Sequence, residues 1–340
     1  MNDWKIIGHT WAVQQMKLAV ERGTLPHALL ITGAESLGKE TLALAIAKAM
    51  LCTATPKTKR PCGECSACHR IESGNHPDLF LITPEEKGRG VKIDQIRDLQ
   101  RALSLTPNES PYKVGIITHF ELATNSASNA LLKTLEEPPA YAHLILFTTS
   151  SDLLLPTIVS RTQQLPLHPL NRATIEEGLM KRWQISAARA QQLARLSGGR
   201  IGWAIQALDD PQHLKQMEES VKLLFRLLKS DLPTRFDIAE ELAKDDSEAQ
   251  QVLEYWRRTW RDVLLLQSKN ADAITHSEQS QYLNQIAEQV ALNTTIDSLH
   301  QIEATQTALR RNGNTRLHLE ALVLNLPSVD LKMASDCLSK

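Results

Sequence analysis

Gly33-Ala34-Glu35-Ser36-Leu37-Gly38-Lys39-Glu40 decides how the rest of the chain is read. Its first seven residues fit G-x-x-x-x-G-K, a loop whose backbone N–H groups cradle phosphates and whose lysine meets them. The next position calls for Ser or Thr, to bind Mg²⁺, but holds Glu40. Thr41 does not simply replace that hydroxyl, because one residue along a helix turns the side chain by about 100°. Before the loop, Ala28–Thr32 reads as a buried strand. After it, Lys39–Met50 reads as a helix with Leu42, Ala43, Ile46 and Ala47 on one face. Strand, glycine loop and helix in that order are what a phosphate loop requires. Gly33, Gly38, Lys39 and Thr41 are therefore the candidate nucleotide-binding residues, with ATP or ADP as ligand and Mg²⁺ short of a side chain.

Further from the loop, Trp11–Arg22 reads as a helix, and Leu79–Ile82, Lys113–Thr118 and Leu144–Thr148 as apolar strands. Helices Ile93–Leu103 and Asn129–Leu135 lie between them, with a charged loop at Glu85–Gly90. Alternating strands and helices predict a parallel sheet covered on both faces. Beyond Pro166 strand signals fade. Helices are expected over Ala173–Arg195, His213–Lys229, Phe236–Lys244, Glu248–Gln267, Glu278–Leu292, Ile296–Arg311 and Leu317–Leu326. Val221, Leu224, Phe225 and Leu228, and likewise Leu317, Ala321 and Leu324, form stripes expected to be core. Trp256 and Trp260 suit a core or an interface equally, while Arg257, Arg258 and Arg261 read as a solvated face.

With 340 residues, 42% of them hydrophobic and 23% charged, the chain has the composition of a globular protein of two or three domains. No apolar run approaches the ~20 residues that span a bilayer. The N-terminal Met1-Asn2-Asp3-Trp4-Lys5 lacks a signal-peptide layout, so a cytoplasmic location is expected. A net charge of −1 gives no global drive toward nucleic acid, and 4% aromatics argue against a base-stacking surface.

Four of the five cysteines, Cys52, Cys62, Cys65 and Cys68, cluster, and Cys337 stands apart. In a cytosolic chain such spacing reads as a metal site rather than disulfides. Four thiolates complete a tetrahedral Zn²⁺ and leave no open position, so the zinc would be structural. His69 and His76 are reserve ligands.

A P-loop ATPase also needs an Asp for Mg²⁺, and often a Glu to activate water, after the strand that follows. Here Val114-Gly115-Ile116-Ile117 leads into Thr118-His119, which can do neither job. Two independent catalytic positions are lost together.

Asn129-Ala130-Leu131-Leu132-Lys133-Thr134-Leu135-Glu136-Glu137-Pro138-Pro139 resembles the signature of bacterial DNA polymerase III clamp-loader subunits, which are AAA+ proteins. His27-Ala28-Leu29-Leu30, the four-cysteine insert, His76-Pro77-Asp78 and Leu155-Pro156-Thr157-Ile158-Val159-Ser160-Arg161 fit the same family. The resemblance is clear to about residue 207 and general beyond it. It implies an α/β P-loop AAA+ module at 1–165 with a zinc-binding insert at 52–68, and a small helical lid domain at 166–208. An all-α collar for oligomerisation at 209–330 and a tail at 331–340 would follow. It also implies a five-subunit ring with motor subunits and a clamp-opening subunit, acting on a sliding clamp and primed DNA, with no membrane role.

Two similar subunit types of the family carry this insert, the ATPase motor and a delta-prime stator. Glu40, Thr118, His119 and Gly202, the last standing where the motor's sensor arginine would align, favour the delta-prime type. Thr148 and Thr149 stand where the family has its first sensor. Arg161 matches the arginine finger that reaches a neighbour's ATP, although the family's Ser-Arg-Cys is Ser160-Arg161-Thr162 here. The competing readings are an active motor that tolerates Glu40, and a zinc-dependent interaction module outside replication.

Overall fold

The computed structural model describes residues 4–84, 90–271, 274–275, 279–310 and 313–331. Much of the charged loop at Glu85–Gly90, helix ends at Glu278 and Arg311, Cys337 and nearly all of the proposed tail lie outside them. The chain divides into two compact units, Met1–Ala194 with Gly199–Trp203, and Arg195–Gly198 with Ala204–Lys340.

In the first unit the order is α1 (Thr10–Arg22), β1 (Ala28–Thr32), α2 (Lys39–Leu51), α3 (Ser66–Glu72), β2 (Leu79–Ile82) and α4 (Ile93–Ser104). Then come β3 (Lys113–Ile117), α5 (Asn125–Glu136), β4 (Ala142–Thr148), α6 (Pro156–Val159), β5 (Gln163–Pro166) and α7 (Arg172–Trp183). The strands form one sheet in the order β2-β3-β4-β1-β5, every pair parallel. Residues of β1, β3 and β4 are buried throughout, as a sheet covered on both faces demands. Leu29 and Ile31 pack with Met16 and Ile46 on one side, and Leu30 with Leu99 and Leu131 on the other.

β5 and α3 are among the elements the sequence pattern did not announce. β5 carries a single buried residue, Leu165, among Gln163, Gln164 and Pro166, so no apolar run marks it. α3 lies inside the cysteine insert, where Pro and Gly pointed to loop. α5 starts earlier than its apolar stripe, because the Thr124 side chain accepts from Ala127 N and caps it.

α8 (Ala187–Ser197) and α9 (Ile201–Asp209) follow, then the helical core: α10 (Gln212–Lys229), α11 (Leu232–Leu242), α12 (Asp246–Gln267), α13 (Ser280–Gln289), α14 (Leu292–Arg310) and α15 (Thr315–Asn325). Val221, Leu224, Phe225 and Leu228 are core, as are Trp256 and Trp260. The α15 stripe is corrected: Leu317 and Leu324 are 61% and 52% exposed, and the helix buries Leu319, Leu322 and Val323 instead. Arg258 is corrected too. It is buried, donates to Leu196 O at 3.1 Å and pairs with Glu254 at 3.3 Å, so it belongs to the interior rather than a solvated face.

Arg235 on α11 is another buried charge of this unit. Its guanidinium donates to Leu228 O and Ser230 O at the end of α10, to Val323 O, Leu326 O and Pro327 O at the end of α15, and to Ser328 Oγ. Carbonyls at helix ends have no intrahelical partner and sit at the negative end of the helix dipole. One arginine thus closes two helix ends. Arg235→Met should keep the volume but strand those carbonyls, lowering the unfolding free energy by ~3 kcal/mol or more in a urea titration.

Candidate functional site

β1 ends at Thr32, and Gly33 N donates to Thr148 O of β4 at 3.2 Å, so the glycine loop opens at the carboxyl edge of the sheet. Gly33 has φ 142° and Gly38 φ 94°, conformations that side chains resist. A Cβ on Gly33 would also lie 2.5 Å from Leu167 O. Lys39 Nζ folds back onto its own loop, donating to Gly33 O and, at 2.8 Å, to Ala34 O. The structure therefore brings Gly33, Gly38 and Lys39 into one turn at the start of α2, a geometry suited to an anion. Thr41 and Glu40 are exposed on the first turn of α2.

The loop's outer carbonyls are held by other segments. His9 Nε2 lies 2.9 Å from Leu37 O, a contact that requires the proton on Nε2. Burial lowers the His9 pKa; the Leu37 contact opposes this and nearby His168 reinforces it. Gly202 N donates to Ser36 O at 2.7 Å. A Cβ on Gly202 would stand 2.9–3.2 Å from the Ser36 backbone, so no side chain fits there unless the loop shifts. The position is consumed by backbone-to-backbone packing. At the neighbouring strand ends, Thr118 is buried and His119 exposed. Thr148 Oγ1 donates to Ser150 O at 2.8 Å.

The cysteine insert forms a second site. Cys52 Sγ lies 3.5 Å from Cys62 Sγ and 3.8 Å from Cys65 Sγ, and Cys62 Sγ lies 4.0 Å from Cys68 Sγ. All four sulfurs are within 4.8 Å of one another, and none is in a disulfide. A tetrahedral ion with metal–sulfur bonds of about 2.3 Å has sulfur–sulfur edges of about 3.8 Å, so the four residues fit a metal. Burial pushes the Cys68 thiol far up. Cys65 is also raised by burial, but N–H donors from Cys68 and Thr53 outweigh that and bring it down to about 6. His76 is buried and its Nδ1 accepts from Asp78 N at 3.1 Å, which leaves it out of the sulfur cluster.

Asp78 had no stated role in the sequence and proves to be the mooring of this region. It is fully buried and accepts from the N–H groups of Asn108, Glu109 and Ser110 at 2.8–3.1 Å. Burial raises its pKa, but these donors hold the carboxyl below the usual range. Glu109 in turn pairs with Arg70 of α3, and Ser110 Oγ donates to Leu51 O beside Cys52. Its sequence signal was its place in the His76-Pro77-Asp78 motif.

Arg161 follows α6 and is half-buried. Its Nη2 lies 2.8 Å from Glu136 Oε1, and its Nη1 donates to Thr157 O at 3.1 Å. Two of the motifs that suggested a family thus meet through one ion pair.

Sheet, loop and sulfur cluster define the class: a P-loop α/β module with an insert whose four sulfurs could hold a metal ion, continued by a helical unit. The family described as DNA polymerase III, delta subunit, matches residues 8–171. DNA polymerase III subunit delta' of Bacillus subtilis strain 168 is 32% identical over 311 residues, 91% of this chain and 93% of that protein. The subunit of the same name from Pseudomonas aeruginosa is 37% identical over 174 residues, covering 51% of this chain and 53% of its own. DNA polymerase III subunit tau of Bacillus subtilis is 23% identical over 354 residues, covering 97% and 62%. The chain belongs to the DNA polymerase III subunit delta' family.

Gly202→Arg tests the packing. Restoring an arginine should destabilise the isolated chain by about 1–3 kcal/mol through overpacking and yield no ATP turnover. Unfolding curves and a phosphate-release assay check both halves.

Proposed function

We propose that this chain is the stator subunit of a bacterial clamp loader, helping to place a sliding clamp on primed DNA without efficient ATP hydrolysis of its own. The observation that carries the reading is the backbone contact of Gly202 on Ser36, at a loop whose Mg²⁺ position is Glu40. A motor must hold and release a metal-bound nucleotide there. This loop keeps its cradle while its outer wall is occupied by the chain itself. Thr118 and His119 add no carboxylate for Mg²⁺ or water. Gly33, Gly38, Lys39 and Thr41 remain the residues that would meet ATP or ADP.

The same reading assigns Zn²⁺ to Cys52, Cys62, Cys65 and Cys68 as a structural ion that fixes the insert between α2 and α3. It divides the chain into an AAA+ domain at 1–165, a lid at 166–208 and a collar at 209–330. Arg161 is the arginine finger for a neighbouring motor, and the partners are motor and clamp-opening subunits in a five-membered ring in the cytoplasm. DNA and the clamp are reached through that ring, in keeping with a net charge of −1. Among the described residues no helix is long and apolar enough to cross a membrane.

Native mass spectrometry of the chain mixed with motor and clamp-opening subunits tests this. The expected result is one copy per five-membered ring, carrying one zinc. Nucleotide-loaded rings of this chain alone would make it a motor, and failure to enter any ring would make it a module of another system.

A further inference from the structure

The signature Asn129–Pro139 holds a carboxylate that the proposed function does not yet use. Glu136 is the last residue of α5, and its Oε1 lies 2.8 Å from Arg161 Nη2. The arginine's other terminal nitrogen donates to Thr157 O at 3.1 Å and lies 3.4 Å from Ser160 Oγ. The backbone on both sides is fixed. α6 ends at Val159 and Ser160 caps it, Arg161 N donates to Ile158 O at 3.1 Å, and β5 begins at Gln163. What remains free is the long side chain, with its large rotamer entropy.

We propose that Glu136 is a positioning residue for Arg161: it holds the guanidinium in a set orientation, so that an adjacent subunit meets a pre-aimed arginine. This rests on the reading of Arg161 as the finger. In the neighbour's site, the water oxygen bonds to the γ-phosphorus of Mg²⁺-bound ATP as the bond to the β,γ-bridging oxygen breaks. ADP and inorganic phosphate leave, and the proton lost by water goes to the phosphate or solvent. Arg161 transfers nothing. It offers N–H donors to charge that grows on the phosphoryl oxygens, which helps most when the donors are already in place. Glu136 and Thr157 O each engage a different terminal nitrogen, which leaves part of the fork's donor capacity for an acceptor on another subunit.

Glu136 is half-exposed, at 50%, and Arg161 is 35% exposed, so the pair is a bias on rotamers rather than a rigid clamp. Exposed pairs of this kind shift such equilibria by up to about fivefold.

The experiment is steady-state ATP hydrolysis by a fully assembled ring, confirmed by native mass spectrometry, with this subunit as wild type, Glu136→Ala, Glu136→Gln or Arg161→Ala. Glu136→Ala should lower kcat about threefold to fivefold with KM for ATP unchanged, because the arginine acts in the transition state. Glu136→Gln keeps an acceptor oxygen and should restore most of the rate. Thermal melting and zinc content of each isolated variant should match wild type, which separates aiming from folding. If Arg161→Ala lowers kcat and Glu136→Ala leaves it unchanged, the positioning role is wrong and the finger stands. A rise in kcat for Glu136→Ala also overturns it, since the carboxylate would then be holding the arginine back. If Arg161→Ala itself has no effect, the finger reading fails and this inference with it.

Discussion

Three segments distant in sequence close on the loop from Gly33 to Lys39. Leu167 O packs where Gly33 would carry a Cβ, His9 reaches Leu37 O, and Gly202 N donates to Ser36 O. At Gly33 and Gly202 such close approach works only because backbone meets backbone. Gly33 and Gly202 have no room for side chains, and a donor and an acceptor that would be costly to bury alone satisfy each other. The loop is thereby joined to the N-terminal segment, to Leu167 just after β5 and to the start of α9. In a motor these surfaces would part and close around nucleotide. Here they are tied by the chain's own hydrogen bonds, which supports the stator role proposed above.

Stiffness is built elsewhere by the same device, buried polar groups fully engaged. Asp78 gathers three N–H groups of one loop, and Arg70 and Ser110 connect that loop to the cysteine insert. A metal among the four sulfurs would thus brace the β2–β3 side of the sheet as well as its own loop. In the helical unit Arg235 gathers the carbonyls at the ends of α10 and α15. Lost hydrogen bonds at any of these points strand several partners at once, so the elements they join rise or fall together.

Much of this was legible beforehand. β1 to β4 are short apolar runs bounded by turn residues, and G-x-x-x-x-G-K places its own strand and helix. The cysteine spacing announced convergence that the sulfur distances bear out. What escaped notice depends on tertiary contact. β5 has one buried residue and reads as loop without β1 beside it. The burial of Arg258 and Arg235 needs carbonyls from remote segments, which no local pattern reveals. The α15 stripe misled because Leu317 and Leu324 keep a helical period on the exposed face. The link between Glu136 and Arg161 joins two motifs that were each visible but gave no hint of touching.

The central claim is that this subunit contributes to ATP turnover from its surface and not from its own P-loop. It is tested most directly by the ATPase rate of the assembled ring carrying either Lys39→Ala or Arg161→Ala in this chain. The account predicts a wild-type rate with Lys39→Ala and a fall of at least about tenfold in the adjacent site with Arg161→Ala. A ring disabled by Lys39→Ala and indifferent to Arg161→Ala would contradict it.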